Sequence, residues 1–270
     1  MVPMTSEATV GHDSTLAATL LVDPRFPRCA RYDPIWQYDN AMGPNPLWLA
    51  EELSQHMDLQ PGMRILDLGC GMAASSIFLA REFDVDVVAA DLWIDPGPNW
   101  ERIREAGVAD RVMPIHAEAH NLKFAPEYFD AIVSLDAYHY FGTCDLYLGY
   151  IVKYLRPGGR LGIVVPAVNN ELDGFIPEHL AADWDWDFAS FHSADWWRRH
   201  WSKTGKVEVE YAAPLPDGWR HWLRWEQYGA VAADERWRDQ CARWARNLET
   251  DAGRHLGFAT VVAAKPAEDR

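Results

Sequence analysis

The sequence is poor in cysteine, in basic residues and in long apolar runs. Its four cysteines are widely spaced without a CxxC pair, which gives no support for a zinc site or a disulfide framework. Twenty-five basic against 40 acidic residues give a formal net charge of -15, which would repel a phosphate backbone. Residues 1–15 lack a basic start, and no apolar run reaches membrane length. These absences predict a soluble, cytoplasmic protein that binds no metal, nucleic acid or membrane.

Short apolar segments rich in β-branched residues alternate with helical patterns along the chain. Such alternation is typical of parallel strands joined by crossover helices, and strands that are apolar throughout are covered on both faces. The sequence therefore predicts an α/β fold with a doubly wound, mostly parallel sheet. We predict strands over residues 64–68, 85–90, 112–117, 129–135, 160–165, 207–211 and 257–264, and helices over 47–57, 75–83, 100–106 and 145–155.

The length of 270 residues suits one enzyme-sized domain with additions. Residues 1–46, rich in proline and aromatic side chains, are expected to form a lid or lead-in. Residues 47–168 would form the ligand-binding core and 169–206 a substrate cap. Residues 207–270 are expected to complete the same domain with strands and a helical segment.

The run "LDLGCGMAA" after the first predicted strand indicates a ligand-binding turn. Gly69, Gly71 and Ala74 satisfy a dinucleotide fingerprint, and Asp91 follows at the distance of a ribose-binding acid. Asp67, however, precedes the first glycine by two residues. A carboxylate at the mouth of the turn would oppose a pyrophosphate and suit the ammonium and sulfonium charges of S-adenosylmethionine. The alternative is that Asp67 caps a loop and the glycines only permit a tight turn.

Five motifs, in this order, resemble class I S-adenosylmethionine-dependent methyltransferases. They are "LDLGCG" (66–71), "VVAADLW" (87–93), "HAEAHNLKF" (116–124), "FDAIVSLDAYHYF" (129–141) and "LRPGGRLGIVVP" (155–166). The resemblance implies a seven-stranded Rossmann-like sheet whose C-terminal edge is antiparallel. It also implies that residues 47–168 bind S-adenosylmethionine, with S-adenosylhomocysteine as the product. A tryptophan-rich helical cap would cover this core.

The resemblance also implies roles for individual residues in cofactor binding. Asp67, Gly69 and Gly71 would line the methionine portion, and Asp91 would accept the ribose hydroxyls. Leu92, Trp93, Glu118 and Ala119 would border the adenine, Leu135 and Asp136 would close the strand beside the methionine end, and Tyr38, Met42 and Gly43 of the lead-in would fold over the cofactor. Lys123 stands where this family most often has proline, which affects only the conformation of that loop.

The segment "DAYHYFG" follows the fourth predicted strand, where an acceptor would approach the methyl group. A base is needed only if the acceptor must lose a proton. His139 is the first choice for that base, with Tyr138 or Asp136 orienting it or the substrate. The alternative is a loop histidine bonded to the backbone. His116 and His120 are interpreted as structural.

Ten of the fourteen tryptophans lie between residues 184 and 244. This density suits a pocket for a flat, apolar or cationic acceptor. Equally, an apolar stripe that attaches a small cap to the sheet could be formed by Trp197, Trp201, Trp222 and Trp225. The pattern does not separate these readings.

We therefore predict methyl transfer to a small-molecule acceptor, a secondary metabolite such as an indole or another nitrogen heterocycle methylated on carbon or nitrogen. The alternatives are O-methylation of a phenol or carboxylate, modification of a fatty-acyl chain, and methylation of a nucleic acid. An NAD-dependent oxidoreductase or a non-catalytic nucleotide-binding module forms a further class. The sequence leaves the oligomeric state open, and a homo-oligomer is among the states it allows.

Overall fold

The computed structural model describes residues 12–267 and contains a seven-stranded sheet with helices on both faces. The strands are β1 (Arg64–Leu68), β2 (Asp86–Asp91), β3 (Val112–His116), β4 (Phe129–Leu135), β5 (Leu155–Val168), β6 (Glu208–Pro214) and β7 (Leu256–Ala264). The helices are α1 (Ser14–Leu20), α2 (Pro34–Asp39), α3 (Pro46–Met57), α4 (Ala74–Phe83), α5 (Pro96–Glu105), α6 (Tyr147–Ile151), α7 (Ala194–Ser202), α8 (Gly218–Ala232) and α9 (Glu235–Asp251).

The strand order is β3-β2-β1-β4-β5-β7-β6. Strands β1 to β5 run parallel to one another, and β7 pairs antiparallel with both β5 and β6. The predicted fold class, including the antiparallel C-terminal edge, is confirmed. Because the chain order reverses between β1 and β4, the carboxyl ends of these two strands flank the switch point where ligands bind in such sheets.

Local sequence signals fix the helix that precedes β1. The Asn45 side chain accepts a hydrogen bond from the Trp48 amide at 3.2 Å, and Pro46 occupies the first turn of α3, where its fixed φ suits the helix and its missing N–H costs nothing. Asp58 ends the helix in the left-handed conformation. The predicted start at residue 47 was therefore one residue late.

Two predicted boundaries differ more from the structure. Strand β5 begins at Leu155, five residues before the predicted start, because Leu155 pairs with Phe129 of β4. Further along, Gly158 donates to the Lys265 carbonyl and Lys265 donates to the Gly159 carbonyl, both at 2.9 Å. The C-terminal segment thus extends the sheet over residues 157–159, a Pro-Gly-Gly run whose sequence is typical of a turn. The predicted helix over 145–155 is correspondingly short: α6 ends at Ile151 and a 3-10 turn follows.

Helices α1, α2, α8 and α9 form the cap above the sheet, so the lead-in and the C-terminal segment build it together. Tyr38 of α2 packs on Trp225 of α8 with ring centroids 4.8 Å apart. Arg224 reaches Asp23 at 2.8 Å. Residues 1–11 of the predicted lead-in lie outside the described residues. Among residues 12–267, no helix has the length and apolar character needed to cross a membrane.

The tryptophan-rich segment divides between packing and cavity. Trp197 and Trp201 of α7 are fully buried against the sheet, whereas Trp222 and Trp225 of α8 face the cavity described below. Trp197 and Trp201 therefore have the predicted packing role, and the role of Trp222 and Trp225 in binding an acceptor stays a prediction.

Replacing Trp197 by alanine should lower the free energy of unfolding by about 3–5 kcal/mol, because the indole is completely buried and its removal leaves a cavity. The measurement is urea unfolding followed by circular dichroism. Trp186, which is 80% exposed, provides the control, since Trp186→Ala should change the same quantity by less than about 0.5 kcal/mol. Equal losses in the two variants would contradict the packing role of Trp197.

Candidate active site

A cavity of about 800 Å³ lies between the carboxyl ends of β1, β2 and β4 and the helical cap. This volume is in the upper part of the range of about 300–1,000 Å³ for small-molecule sites. One wall carries the glycine turn, and the opposite wall consists mainly of aromatic side chains from the cap. The cavity can accommodate a cofactor and an acceptor side by side.

The glycine turn between β1 and α4 requires glycine at two positions. Gly69 has φ +77°, and a side chain there would overlap with the Cβ of Ala137 in the loop after β4. Gly71 has φ +53°, and its missing side chain leaves room for the Met42 sulfur, which would lie 3.3 Å from an added Cβ. Both glycines line the cavity. Because these glycines have no side chain, the glycine turn, the loop after β4 and the lead-in can pack closely around the ligand space.

Asp91 at the end of β2 holds the loops at one end of the cavity. Its carboxylate accepts hydrogen bonds from the amides of Gly71 at 2.8 Å, Trp93 at 2.7 Å and Ile94 at 3.0 Å. The side chain is largely buried but lines the cavity. Two carboxylate oxygens offer about four acceptor positions, so one remains for a ligand hydroxyl.

Asp67 lies deeper than the sequence suggested. The residue is fully buried and is not among those that line the cavity. Its Oδ2 accepts hydrogen bonds from the hydroxyls of Ser75 and Ser76, both at 2.6 Å, and its Oδ1 has no partner among the described residues. Burial raises its pKa to about 6. Asp67 therefore ties β1 to the first turn of α4 instead of standing at the mouth of the glycine turn.

The other predicted cofactor contacts line the cavity from three loops. Leu92 and Trp93, both about half exposed, follow β2, while Glu118 and Ala119 follow β3. Leu135 ends β4. Tyr38, Met42 and Gly43 line the cavity from the lead-in. Their contacts to a cofactor remain predictions.

Gly43 brings the lead-in directly against Asp136. A side chain at Gly43 would overlap with the Asp136 Oδ2, so glycine is required for this approach. Asp136 itself adopts the left-handed conformation with φ +53°, which aspartate tolerates better than most residues. Strand β4 thus ends in a turn that presents the carboxyl group to the cavity.

The three residues predicted to carry acid-base chemistry have different surroundings. Asp136 lines the cavity, accepts no hydrogen bond among the described residues, and has its pKa raised to about 7 by burial and by the charge of Glu226. His139 also lines the cavity, but burial lowers its pKa to about 3, and its Nδ1 has no partner within the described part of the chain. A group with so low a pKa is a weak proton acceptor near neutral pH. These pKa shifts favour Asp136 over His139 as the candidate base.

Tyr138 lies outside the cavity. Its ring packs between Trp197 and Trp201 at centroid distances of 5.7 Å, and it is fully buried in the core on one face of the sheet. The short 3-10 helix over Tyr138–Tyr140 turns successive side chains to different sides, so only His139 and Tyr140 of this trio reach the ligand space.

Glu226 is a cavity residue that the motif analysis did not single out. It lies on α8, where its carboxylate accepts hydrogen bonds from the Trp222 indole at 3.0 Å and from the Cys241 thiol. Burial raises its pKa to about 7. Trp222, Trp225 and Glu226 share one face of the helix. The sequence does contain one signal for Glu226: it is an acidic residue on a helix face that is otherwise aromatic.

One group among residues 12–267 has the spacing of metal ligands, formed by His179, Asp251 and His255. Nε2 of His179 and Nδ1 of His255 lie 3.0 and 2.8 Å from the same Asp251 oxygen. Two histidines that donate to one carboxylate account for this arrangement without a metal ion. The group does not line the cavity.

Comparison with known proteins agrees with the fold and the glycine turn. Residues 65–159 match the family model described as a methyltransferase domain. The chain is 31% identical to methyltransferase GfsG of Streptomyces halstedii over 46% of its own length and 45% of that protein. It is 27% identical to erythromycin 3''-O-methyltransferase of Saccharopolyspora erythraea, over 81% of this chain and 77% of the relative.

Solved structures share the fold at lower identity. Haemonchus contortus phosphoethanolamine N-methyltransferase 2, in complex with S-adenosyl-L-methionine, superposes with a TM-score of 0.69 at 20% identity, covering 95% of this chain and 61% of that one. The chain spans less than half the length of several curated relatives, among them methyltransferase GfsG. The matched methyltransferase domain and the shared fold support the resemblance to class I S-adenosylmethionine-dependent methyltransferases that the motifs carry.

Proposed function

We propose that this protein transfers a methyl group from S-adenosylmethionine to a small-molecule acceptor bound in the 800 Å³ cavity. The observation that carries the proposal is that one cavity has two walls of different chemical character. The wall at the sheet edge has the glycine turn and Asp91, and the wall of the cap has aromatic side chains and Glu226. One wall suits the cofactor and the other the acceptor.

The residues at the sheet edge fit the cofactor. Gly69 and Gly71 leave the turn free of side chains, Asp91 retains acceptor capacity, and Glu118 with Ala119 border the far end of the cavity. When bound, S-adenosylmethionine supplies a methyl carbon that its sulfonium already makes electrophilic. The chain therefore has to orient the acceptor, exclude water and accept a proton where the acceptor carries one.

Asp136 is the residue of this chain that we propose as the proton acceptor. It follows β4 beside the glycine turn, and its carboxyl has no competing hydrogen bond among residues 12–267. A raised pKa near 7 matches the requirement that a base be ionised and still basic at neutral pH. His139 would contribute its ring as a wall of the cavity.

The aromatic wall supports an acceptor that is flat and nitrogen-containing, such as an indole or another heterocyclic secondary metabolite. Trp222 stacks on Trp244 with centroids 5.7 Å apart and an interplanar angle of 16°. Such rings favour a flat partner by offset stacking. Carboxylate acceptors, including free fatty acids, are disfavoured by the acidic side chains Asp136, Asp187 and Glu226 that line the same cavity, because like charges repel. A phenol remains the alternative for O-methylation.

Titration of the protein with S-adenosylhomocysteine and with NAD separates methyl transfer from dinucleotide chemistry. We expect S-adenosylhomocysteine to quench tryptophan fluorescence, because Trp93 lines the predicted adenine end of the cavity, and NAD to have little effect. The opposite result would favour an oxidoreductase and reject the proposal. A panel of indoles, phenols, amines and acids incubated with labelled methyl donor then identifies the acceptor class. Label that enters only aliphatic acids would reject the heterocycle.

A further inference from the structure

Three carboxyl groups line the cavity on its acceptor side. Asp136 follows β4, Asp187 lies in the 3-10 helix over Trp186–Ser190, and Glu226 lies on α8. Within the part of the chain that the structure describes, none of the three makes an ion pair. The cationic side chain that lines the cavity, Arg243, pairs with Asp183 at 3.2 Å.

These carboxyl groups are half-buried and accept few hydrogen bonds from the described residues. The Asp136 carboxyl has no partner in residues 12–267, and the Asp187 Oδ1 is buried without one. Glu226 receives donors from Trp222 and Cys241, neither of which carries a charge. Acids that are withdrawn from water are normally paired or hydrogen-bonded. Among residues 12–267, no positively charged side chain donates to these three carboxyl groups.

The rings around these acids add a second feature that favours a cation. Trp222 and Trp244 stack on each other, Phe188 lies 4.7 Å from Phe191, and Phe188 lies 5.2 Å from Trp244. The faces of aromatic rings attract ammonium groups, most strongly where water is excluded. Aromatic faces and carboxylates thus converge on one part of the cavity.

We infer that the acceptor site recognises a protonated amine, whose ammonium group is held by Glu226 and Asp187 while its flat body stacks on the tryptophans. The inference rests on the proposed function, because it names the chemical class of the acceptor for that same cavity. An amine satisfies both the acids and the rings, which a neutral heterocycle does not.

Three probes with one ring system and different charges test this inference. Tryptamine is cationic, 3-propylindole is its neutral isostere, and indole-3-propionate is anionic. Binding of each to the protein saturated with S-adenosylhomocysteine is measured by calorimetry; the product has no sulfonium charge to interfere. We expect tryptamine to bind at least about tenfold more tightly than 3-propylindole, since hydrogen bonds to charged groups are the stronger ones. Indole-3-propionate should bind most weakly.

Glu226→Gln keeps the shape of the side chain and removes its charge. It should remove about tenfold of the tryptamine affinity and leave 3-propylindole within about twofold. Glu249→Gln is the matched control, because Glu249 is exposed on α9 and away from the cavity; it should change neither. Asp187→Asn provides a second variant if Glu226→Gln unfolds at a lower temperature.

Equal affinity for the three indoles, no binding of tryptamine, or equal losses for tryptamine and 3-propylindole in Glu226→Gln would each overturn the inference. If S-adenosylhomocysteine still binds in those cases, the proposed methyl transfer stands with a different acceptor. If S-adenosylhomocysteine does not bind at all, the proposed function fails, and the amine preference is measured on the protein alone.

Discussion

Replacing Asp136 by asparagine is expected to slow methyl transfer by about 10²- to 10⁴-fold, the usual contribution of a general base. Asparagine keeps the shape of the side chain but cannot take up a proton. The variant should bind S-adenosylhomocysteine with nearly unchanged affinity, because the glycine turn and Asp91 are intact. The measurement is turnover of an acceptor found in the labelled-methyl panel, together with calorimetry of product binding.

The pH profile gives this prediction a second readout. A base works only when it is deprotonated, so the rate should rise with pH through about 7, the pKa to which burial and Glu226 raise the Asp136 carboxyl. Because Glu226 titrates in the same range, the rise belongs to the pair. It should be lost or displaced in Asp136→Asn.

Asp145→Asn is the matched control for Asp136→Asn, since Asp145 is an exposed acid a few residues further along the same loop, paired with Lys203. It should leave rate and pH profile unchanged. His139→Ala should slow turnover less than Asp136→Asn does, because burial lowers the pKa of His139 to about 3 and makes it a weak base. A larger loss in His139→Ala would return the role of base to the histidine.

Asp91→Ala is expected to weaken binding of S-adenosylhomocysteine by about 1.5–3 kcal/mol, through loss of a charged acceptor for the ribose hydroxyls. The structure adds a second reason. Asp91 accepts hydrogen bonds from three amides, including those of Gly71 and Trp93, so its removal also loosens the loops on both sides of the cofactor space. Calorimetry of product binding measures the loss.

Asp95→Ala is the control for this loss, because Asp95 precedes α5, is exposed, and makes no capping bond through its side chain. Product affinity in this variant should match that of the unchanged protein. Unaltered affinity in Asp91→Ala, with a normal circular dichroism spectrum, would show that Asp91 organises the loops without touching the ribose.

The strands of the parallel sheet were well predicted, and the reason is burial on both faces. β1 and β4 have the predicted bounds, since continuous apolar runs ending in "DLG" or "SLD" leave little choice of register. The start of β5 was not predictable, because it depends on Leu155 pairing with Phe129 and on Lys265, more than 100 residues further along the chain, pairing with Gly158 and Gly159. When two paired segments are far apart in the sequence, neither segment contains a local pattern that predicts the pairing.

The candidate site, like the strands, was predicted in part from the sequence. Motifs predicted the glycine turn, Asp91, Glu118 and Asp136, which all line one cavity. They misplaced Asp67, which bonds to Ser75 and Ser76 beneath the turn, and Tyr138, which packs in the core. The depth of a side chain at the end of a strand depends on what packs above it, and the motif does not encode that.

The order of apolar runs and glycines in the chain was enough to determine the parallel sheet and the place of its ligand turn, because strand burial and backbone conformation are local consequences of residue type. Only the tertiary structure decided which acids share a solvent-poor space. Glu226 and Asp136 are 90 positions apart in the sequence, and the helical cap brings them close enough for the charge of one to raise the pKa of the other. Electrostatic coupling depends on distance and exclusion of water, and folding alone sets both.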